Sequence, residues 1–149
     1  MNIRWILKNF KELTVDELYA VLRLRIEVFV VEQNCAFQDI DNKDQKCMHF
    51  MGWDNDLLVA YTRIVPPGVA YHLPAIGRVV TSPQARGGGL GRTLMEKSIV
   101  ETKKLYGSTD IKVGAQLYLK KFYTSLGFIQ SGDMYLEDGI EHIEMIKPA

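Results

Sequence analysis

The stretch that decides the fold is a β-branched segment, a glycine-rich turn and an amphipathic run. It reads Ile76-Gly77-Arg78-Val79-Val80-Thr81, then Ser82-Pro83-Gln84-Ala85, then Arg86-Gly87-Gly88-Gly89-Leu90-Gly91-Arg92, and continues as a helical pattern to Tyr106. This order predicts a strand, a loop and a helix. Glycines let the backbone approach a ligand closely, and the first N–H groups of a helix lack intrahelical partners. The stretch therefore predicts a site for a phosphorylated ligand.

Two well-known phosphate loops do not fit this turn. A dinucleotide-binding fingerprint that starts at Gly87 needs a glycine where Arg92 stands, and a P-loop needs Gly-Lys-Ser/Thr where the chain has Gly91, Arg92 and Thr93. Arg86 and Arg92 bracket the turn and can donate charge-assisted bonds to phosphate. The alternative is a plain surface turn, in which glycine runs are also common.

Composition places the chain among ordinary globular proteins. It has 149 residues, 47% of them hydrophobic and 24% charged, with a formal net charge of zero. This length predicts a single domain over residues 1–149. The charge balance favours neither nucleic acid nor an anionic membrane as a partner. No apolar run is long enough to span a bilayer and the N-terminus has no signal-peptide pattern, so we expect a cytoplasmic protein.

Cysteines and histidines give no sign of a metal site. Cys35 and Cys47 are expected to stay reduced, and His49, His72 and His142 lack the spacing of metal-ligand motifs. We predict no metal, and we assign no role to His72 or His142.

The first helix is predicted from a capping box, in which Glu17 follows Thr14 by three residues. Arg25 is placed at the margin of its apolar face, where an arginine usually reaches a carboxylate, and Glu32 is one candidate partner. The residues from Glu32 to Asp44 are expected to form a solvated loop, or an acidic rim that attracts a cationic amine. The stripe predicted to face the core is Val15, Leu18, Leu22, Ile26 and Phe29.

The remaining elements alternate between strand and helix patterns. The predicted order is β, α, β, β, β, α, β, α, β, β, which implies an α/β mixed sheet with helices on both faces. Gly107 and Gly127 are expected to end the second and third helices, and Asp138-Gly139 to turn the last hairpin. The strands are predicted over residues 3–10, 47–53, 57–65, 76–81, 110–114, 128–136 and 140–146.

Three separated motifs resemble the GNAT superfamily of N-acetyltransferases, and nearly the whole chain follows that family's element order. They are Arg86-x-x-Gly89-x-Gly91, the first-helix segment from Leu24 to Gln33 that resembles the ElaA-like subgroup, and Phe122-Tyr123-Thr124-Ser125-Leu126-Gly127-Phe128. The resemblance implies the GNAT fold, with a mostly antiparallel mixed sheet and a splayed parallel strand pair. It also implies acetyl-CoA as cosubstrate and direct acyl transfer in a ternary complex.

The resemblance assigns cofactor-binding roles along the chain. The backbone of Val79 and Thr81 would contact pantetheine, and strand N–H groups nearby would polarise the thioester carbonyl. Gln116 stands where many members have asparagine, so its partner on the cofactor stays open. The residues that would hold the pyrophosphate are Arg86, Gly87, Gly88, Gly89, Leu90, Gly91 and Arg92.

Tyr123 is the candidate general acid, because a phenol stays protonated at neutral pH and can still protonate a departing thiolate. The alternative is a core aromatic at helical spacing. The candidates for the general base are Glu32, His49 and a water chain to either of them. Against them, His49 alternates with core residues of a strand, and Glu32 can pair with Arg25.

The sequence thus predicts an N-acetyltransferase that acts on a primary amine of a small molecule or peptide, with neither nucleic acid nor membrane as partner. The closing hairpin can pair across a homodimer. Two alternatives stay open: a CoA-binding regulatory module without catalysis, and an acyltransferase that acts on a non-amine acceptor.

Overall fold

The computed structural model describes all residues from Met1 to Ala149, and its centre is one seven-stranded sheet. The spatial order is β1-β2-β3-β4-β5-β7-β6. Every neighbouring pair is antiparallel except β4 and β5, which run parallel. The predicted mixed α/β fold is therefore confirmed. The strands are Arg4–Asn9 (β1), Met48–Asp54 (β2), Leu57–Val65 (β3), Ala75–Thr81 (β4), Ile111–Gln116 (β5), Ile129–Glu137 (β6) and Ile140–Lys147 (β7).

Three α-helices cover the sheet: Val15–Ile26 (α1), Leu90–Tyr106 (α2) and Lys120–Ser125 (α3). The predicted capping box starts α1, since Glu17 N–H donates to Thr14 Oγ1 over 3.0 Å and Thr14 N–H donates to the Glu17 carboxylate over 2.8 Å. Gly107 ends α2 with φ of 83°. None of the helices is long and apolar enough to cross a membrane.

The strands bury alternate residues against helices on opposite faces. On β2, Met51 packs with α1 residues such as Val21 and Leu24. Its neighbour Phe50 packs with Leu90 and Leu94 of α2 on the other face. Helix α3 lies on the α2 face, where Tyr123 joins the cluster around Met95 and Met145. Helices therefore lie on both faces, as predicted.

The apolar stripe predicted for α1 is wrong in phase. Val15 is 84% exposed, whereas the fully or nearly buried positions are Val21, Leu24, Arg25 and Val28, at helical spacing. Arg25 is 0% exposed, so it lies at the centre of the buried stripe and not at its margin. A charged residue at the core position misled the prediction, because apolar residues alone defined the stripe. Beyond α1, the chain continues as a π-helical segment over Glu27–Glu32.

Strands β4 and β5 touch only at their beginning. A single pair joins them, Ala75 with Lys112, and the Lys112 N–H donates to the Pro74 carbonyl over 3.0 Å. Downstream of this point the two strands separate and leave a gap in the sheet. This opening is the splayed parallel pair that the family resemblance implied.

Candidate functional site

The gap between β4 and β5 opens into a cavity of about 440 Å³. That volume lies in the range of small-molecule and cofactor sites. Its walls come from the π-helical segment after α1, the following loop, β4, β5, α3, the β6–β7 turn and the start of β7. The lining residues are Val28, Phe29, Glu32, Gln33, Cys35, Phe37, Ile76, Gly77, Arg78, Val79, Val80, Thr81, Arg86, Gly114, Ala115, Gln116, Tyr118, Leu119, Tyr123, Glu137, Asp138, Ile140 and His142.

A β-bulge in β4 lies where that strand leaves β5. The register with β3 shifts between Tyr61 and Arg63, and Arg78 on the bulged strand has φ of 49°. This left-handed conformation is unfavourable for a non-glycine residue and persists only where its surroundings hold it. A bulge bends its strand, so this one helps to open the cavity between β4 and β5.

A buried ionic network holds the bulge. Arg78 Nε donates to an Asp39 carboxylate oxygen over 2.8 Å, and the other oxygen of Asp39 accepts from Arg25 Nε over 2.9 Å. The Asp39 side chain is 0% exposed, so it ties β4 to α1 without a solvent competitor. Arg78 and Arg25 both also donate to the Asp39 carbonyl.

Asp41 and Asp44 extend the network to Arg63 of β3. Arg63 Nη1 donates to Asp41 over 2.8 Å and to Asp44 over 2.9 Å, and Arg25 Nη1 donates to Asp44 over 2.8 Å. The prediction that Arg25 pairs with Glu32 is therefore wrong. The predicted solvated loop is also wrong for these three aspartates, since they neutralise arginines inside the protein.

The glycine loop offers a row of unpaired donors. None of the backbone N–H groups from Gly87 to Gly91 donates to another atom of the protein. Gly87 and Gly89 have φ of 99° and 77°, which require glycine, and Gly89 is the N-cap of α2. The positive end of the α2 dipole adds to these donors. Such an array binds anions.

The two bracketing arginines have partners in this structure. Arg86 makes a two-pronged pair with Glu32, with nitrogen–oxygen distances of 2.8 and 2.9 Å, across the cavity rim. Arg92 Nη1 donates to Ser125 Oγ over 2.8 Å, which links α2 to α3. Arg86 lines the cavity, whereas the predicted residues from Gly87 to Arg92 are not among its lining residues.

Tyr123 points its hydroxyl into the cavity. The residue is 4% exposed and makes no hydrogen bond within the protein, yet its hydroxyl is not among the polar atoms sealed from solvent. Burial raises the pKa of Tyr123 above its ordinary value, so the phenol stays protonated at neutral pH. The aromatic ring also packs edge-on against Phe122 and Phe128, which fixes its direction.

The structure separates the two candidate bases. His49 is 0% exposed and does not line the cavity, and its ring nitrogens bond to the Tyr61 hydroxyl and the Asp44 carbonyl over 2.7 and 2.9 Å. Both nitrogens are occupied, so this position argues against a role in catalysis. Glu32 does line the cavity, but its hydrogen bonds to Arg86 hold the pKa of its carboxyl below the ordinary value.

Val79 and Thr81, the predicted pantetheine contacts, line the cavity, and so does Gln116, whose partner on the cofactor was left open. Gln116 Nε2 donates to Gln33 Oε1 over 3.2 Å and so joins β5 to the residue that follows the π-helical segment. Cys35 and Cys47 are both free thiols. No group of three His, Cys, Asp or Glu side chains is placed to hold a metal ion.

Sequence reasoning missed several residues of the cavity wall. Two of them, Phe37 and Arg78, lie in the region of the buried ionic network. Three more come from the last hairpin: Glu137, Asp138 and His142. The sequence did predict the hairpin turn at Asp138-Gly139, which places Glu137 opposite Ile140. Alternation along β7 then places His142 on the same face as Ile140. What the sequence did not show is that this face borders the β4–β5 gap.

Comparison with known proteins identifies the family. Residues 13–149 match the family described as acetyltransferase (GNAT) domain. The chain belongs to the GNAT acetyltransferase family. Protein ElaA of Escherichia coli is 44% identical over 147 residues, which cover 97% of this chain and 96% of that protein. A UPF0039 protein of Synechocystis is 41% identical over 147 residues, with 98% and 96% covered.

Solved structures agree with this GNAT assignment. The crystal structure of E. coli ElaA superposes with a TM-score of 0.92 at 42% identity, covering 98% of this chain and 99% of the other. An acyl-CoA N-acyltransferase from Pseudomonas aeruginosa superposes with a TM-score of 0.94 at 41% identity and the same coverage. The predicted GNAT fold and the resemblance to ElaA-like proteins are both confirmed, and GNAT membership is consistent with acyl transfer from an acyl-CoA.

Proposed function

We propose that this GNAT protein transfers an acetyl group from acetyl-CoA to a primary amine of a small molecule or peptide. The observation that carries the proposal is the row of unpaired N–H groups from Gly87 to Gly91, next to the gap between β4 and β5. A diphosphate accepts bonds from such a row, and an extended pantetheine arm fits a gap between parted strands.

Several elements of the fold contact acetyl-CoA in this proposal. Arg86 lines the cavity beside the glycine loop and adds positive charge to the phosphate site at the α2 N-terminus. Val79 and Thr81 border the gap on the β4 side and Gln116 on the β5 side. The acetyl group lies near the Tyr123 hydroxyl, which opens to the cavity and lacks a protein partner.

The chain supplies positioning and proton transfer. The amine nitrogen bonds to the thioester carbonyl carbon, the carbon–sulfur bond breaks, and Tyr123 donates its proton to the departing thiolate. Backbone N–H groups at the β4 bulge would stabilise the oxyanion. No covalent intermediate with the enzyme is needed. The cavity thiol Cys35 lies against a carbonyl, with its sulfur 3.7 Å from the Asp138 oxygen.

The acceptor enters from the opposite side of the cavity. Its walls there are the π-helical segment after α1, the loop that carries Phe37, and the β6–β7 turn with Glu137 and Asp138. Two carboxylates at this mouth favour a cationic amine over an acid.

The test combines acetyl-CoA with a panel of primary amines that includes a linear diamine, an amino acid, an arylalkylamine and a lysine peptide. We expect amide formation with equimolar release of thiol. Ester formation in a parallel panel of alcohols would instead identify a non-amine acceptor. Tight binding of acetyl-CoA without turnover on either panel would favour the regulatory module.

The matched binding test is an isothermal titration with CoA. We expect Gly89→Val to lose binding, because a β-branched side chain opposes φ of 77° and would stand against the diphosphate. An unchanged dissociation constant would contradict the placement of CoA at this loop.

A further inference from the structure

His142 is the one imidazole that reaches the cavity, and the reaction as described leaves it unused. It lies on β7 directly opposite Gln116 of β5, and its side chain is 12% exposed. It therefore borders the β5 side of the gap while staying open to a small molecule in the cavity.

The structure fixes which ring nitrogen of His142 carries the proton. Nδ1 lies 2.8 Å from the Ile140 carbonyl oxygen. A carbonyl only accepts, so Nδ1 must be the donor. In the neutral ring Nε2 then has a free lone pair. Stacking on Tyr135, with centroids 5.8 Å apart and planes 29° from parallel, holds the ring in this orientation.

A carboxylate stands next to that lone pair. Glu137 Oε2 lies 3.6 Å from Nε2, so an imidazolium formed by proton uptake gains an ion-pair partner. The next carboxylate on this face of β7, Glu144, already forms an ion pair with Lys112 over 2.9 Å. Asp138 lines the same mouth of the cavity and adds negative charge.

The alternative bases are less suited. Glu32 is held by two hydrogen bonds to Arg86, and His49 is buried away from the cavity with both nitrogens bonded. His142 alone combines access to the cavity with an unshared lone pair and a fixed tautomer.

We infer that His142 is the general base that deprotonates the acceptor amine, with Glu137 as its positioning residue. The inference rests on the proposed acetyl transfer. Nε2 takes a proton from the ammonium group, and the neutral amine then attacks the thioester carbon. After the carbon–sulfur bond breaks, Tyr123 protonates the thiolate and recovers a proton from the former amine nitrogen. The products are the amide, CoA thiol and one proton passed to solvent from His142.

The main test compares His142→Gln with His72→Gln on the panel amine that the wild type acetylates fastest. His72 is exposed and lies outside the cavity, so its variant should match the wild type. We expect His142→Gln to lower kcat at neutral pH by about 10²- to 10⁴-fold. The titration with CoA should be unchanged.

The pH profile distinguishes a base from a structural residue. Without His142 the amine must lose its proton to water, so the rate of the variant should keep rising with pH and approach the wild-type rate where the free amine predominates. Glu137→Gln should lower kcat less than His142→Gln does and leave the CoA titration unchanged, because Nε2 keeps its lone pair and loses only the carboxylate beside it. A wild-type pH profile in His142→Gln, or a uniform loss of its rate at all pH values, would overturn the assignment.

A ligand-free measurement adds a separate check. Nitrogen-15 NMR of the ring should show His142 protonated at Nδ1 in its neutral form, and a ring protonated at Nε2 would refute the base. If the wild type acetylates no amine, the proposed function fails. If it acetylates one and His142→Gln is as fast, only the role of His142 fails.

Discussion

Tyr123 combines a core contact with access to the cavity. Its ring joins the cluster around Met95 and Met145, while its hydroxyl opens to the cavity without a protein partner. Burial of most of a phenol raises its pKa. The hydroxyl therefore stays protonated at neutral pH and can act as a proton donor.

The first prediction concerns this hydroxyl. Tyr123→Phe keeps the ring packing and removes only the proton donor, so kcat should fall by about 10²- to 10⁴-fold while the dissociation constant for CoA stays within about twofold. Steady-state kinetics and calorimetry measure the two quantities.

Tyr19→Phe is the control, because Tyr19 is 73% exposed on α1 and lies outside the cavity. If Tyr123→Phe and Tyr19→Phe turned over alike, Tyr123 would be only a packing residue.

Among the candidate site residues, sequence analysis identified those that lie in a local motif. Tyr123 and the glycine loop were identified by their neighbours along the chain. His142 was not, because its place at the cavity depends on how β7 pairs with β5, a contact between distant segments. Arg25 was misassigned because its partners Asp39 and Asp44 are fixed by tertiary packing.

Among the elements, the start of α2 presents unpaired N–H groups in a fixed arrangement. Gly89 caps the helix in the left-handed conformation, and the next two N–H groups have no acceptor in the protein. The array is therefore preorganised, and binding an anion there requires little further ordering of the backbone.

Gly91→Ala separates stability from binding at this element. A Cβ on Gly91 meets no atom within 4 Å and the residue is helical, so the melting temperature should stay the same or rise. If the diphosphate lies against this first turn of α2, the added methyl narrows the space for it, so the CoA dissociation constant should increase about tenfold, or ~1.4 kcal/mol. Thermal melting and calorimetry report both, and a stable variant with unchanged affinity would place the diphosphate elsewhere.

The buried network makes α1 more than a cover for the sheet. Arg25→Ala leaves Asp39 and Asp44 buried with less compensation, which should lower the free energy of unfolding by about 3–5 kcal/mol. Arg23→Ala on the same helix removes only an exposed pair with Glu27 and should cost about 0.3–0.5 kcal/mol.

Urea unfolding followed by tryptophan fluorescence measures both values. Equal small losses in Arg25→Ala and Arg23→Ala would mean that the network contributes nothing specific.

Element order and boundaries were largely predictable, because capping boxes, glycine caps and the Asp-Gly turn are local signals. The phase of α1 was not, since the deciding core residue is an arginine. The π-helical segment over Glu27–Glu32 and the bulge at Arg78 were also missed. Both are irregularities that hydrophobic periodicity does not register, and both border the cavity.

For the whole molecule, the balance of buried charge predicts sensitivity to acid. Burial lowers the pKa of His49. Burial of Asp41 and Asp44 acts in the opposite direction, but the bonds and charges of Arg63, with Arg25 at Asp44, outweigh it and hold both carboxyl pKa values below their ordinary range. In each case the unfolded chain binds protons at a higher pH than the folded one.

The free energy of unfolding should therefore fall as pH decreases, first below about 6.5 through His49 and more steeply below about 3.9 through the aspartates. Urea unfolding at pH 7, 5 and 3.5 measures this. His49→Gln should flatten the first part of the curve and His72→Gln should not. A curve that is flat from pH 7 to 3.5 would contradict the buried network.

Assembly and location are properties of the whole molecule that stay predictions. Strand β6 is an edge strand with Ile129, Met134 and Leu136 exposed, which is where the predicted homodimer would pair. The cytoplasmic location likewise rests on the sequence.

The limited pairing between β4 and β5 offers a way to measure whether acyl-CoA occupies the gap between them. Beyond the Ala75–Lys112 pair, β4 and β5 form no further residue pairs. The seven-stranded sheet is therefore divided there into two parts that a single residue pair joins. An acyl-CoA arm bound between β4 and β5 would fill this gap. Deuterium uptake by the backbone of β4 and β5 would then slow when acyl-CoA binds, and the rate of uptake would report how much acyl-CoA is present.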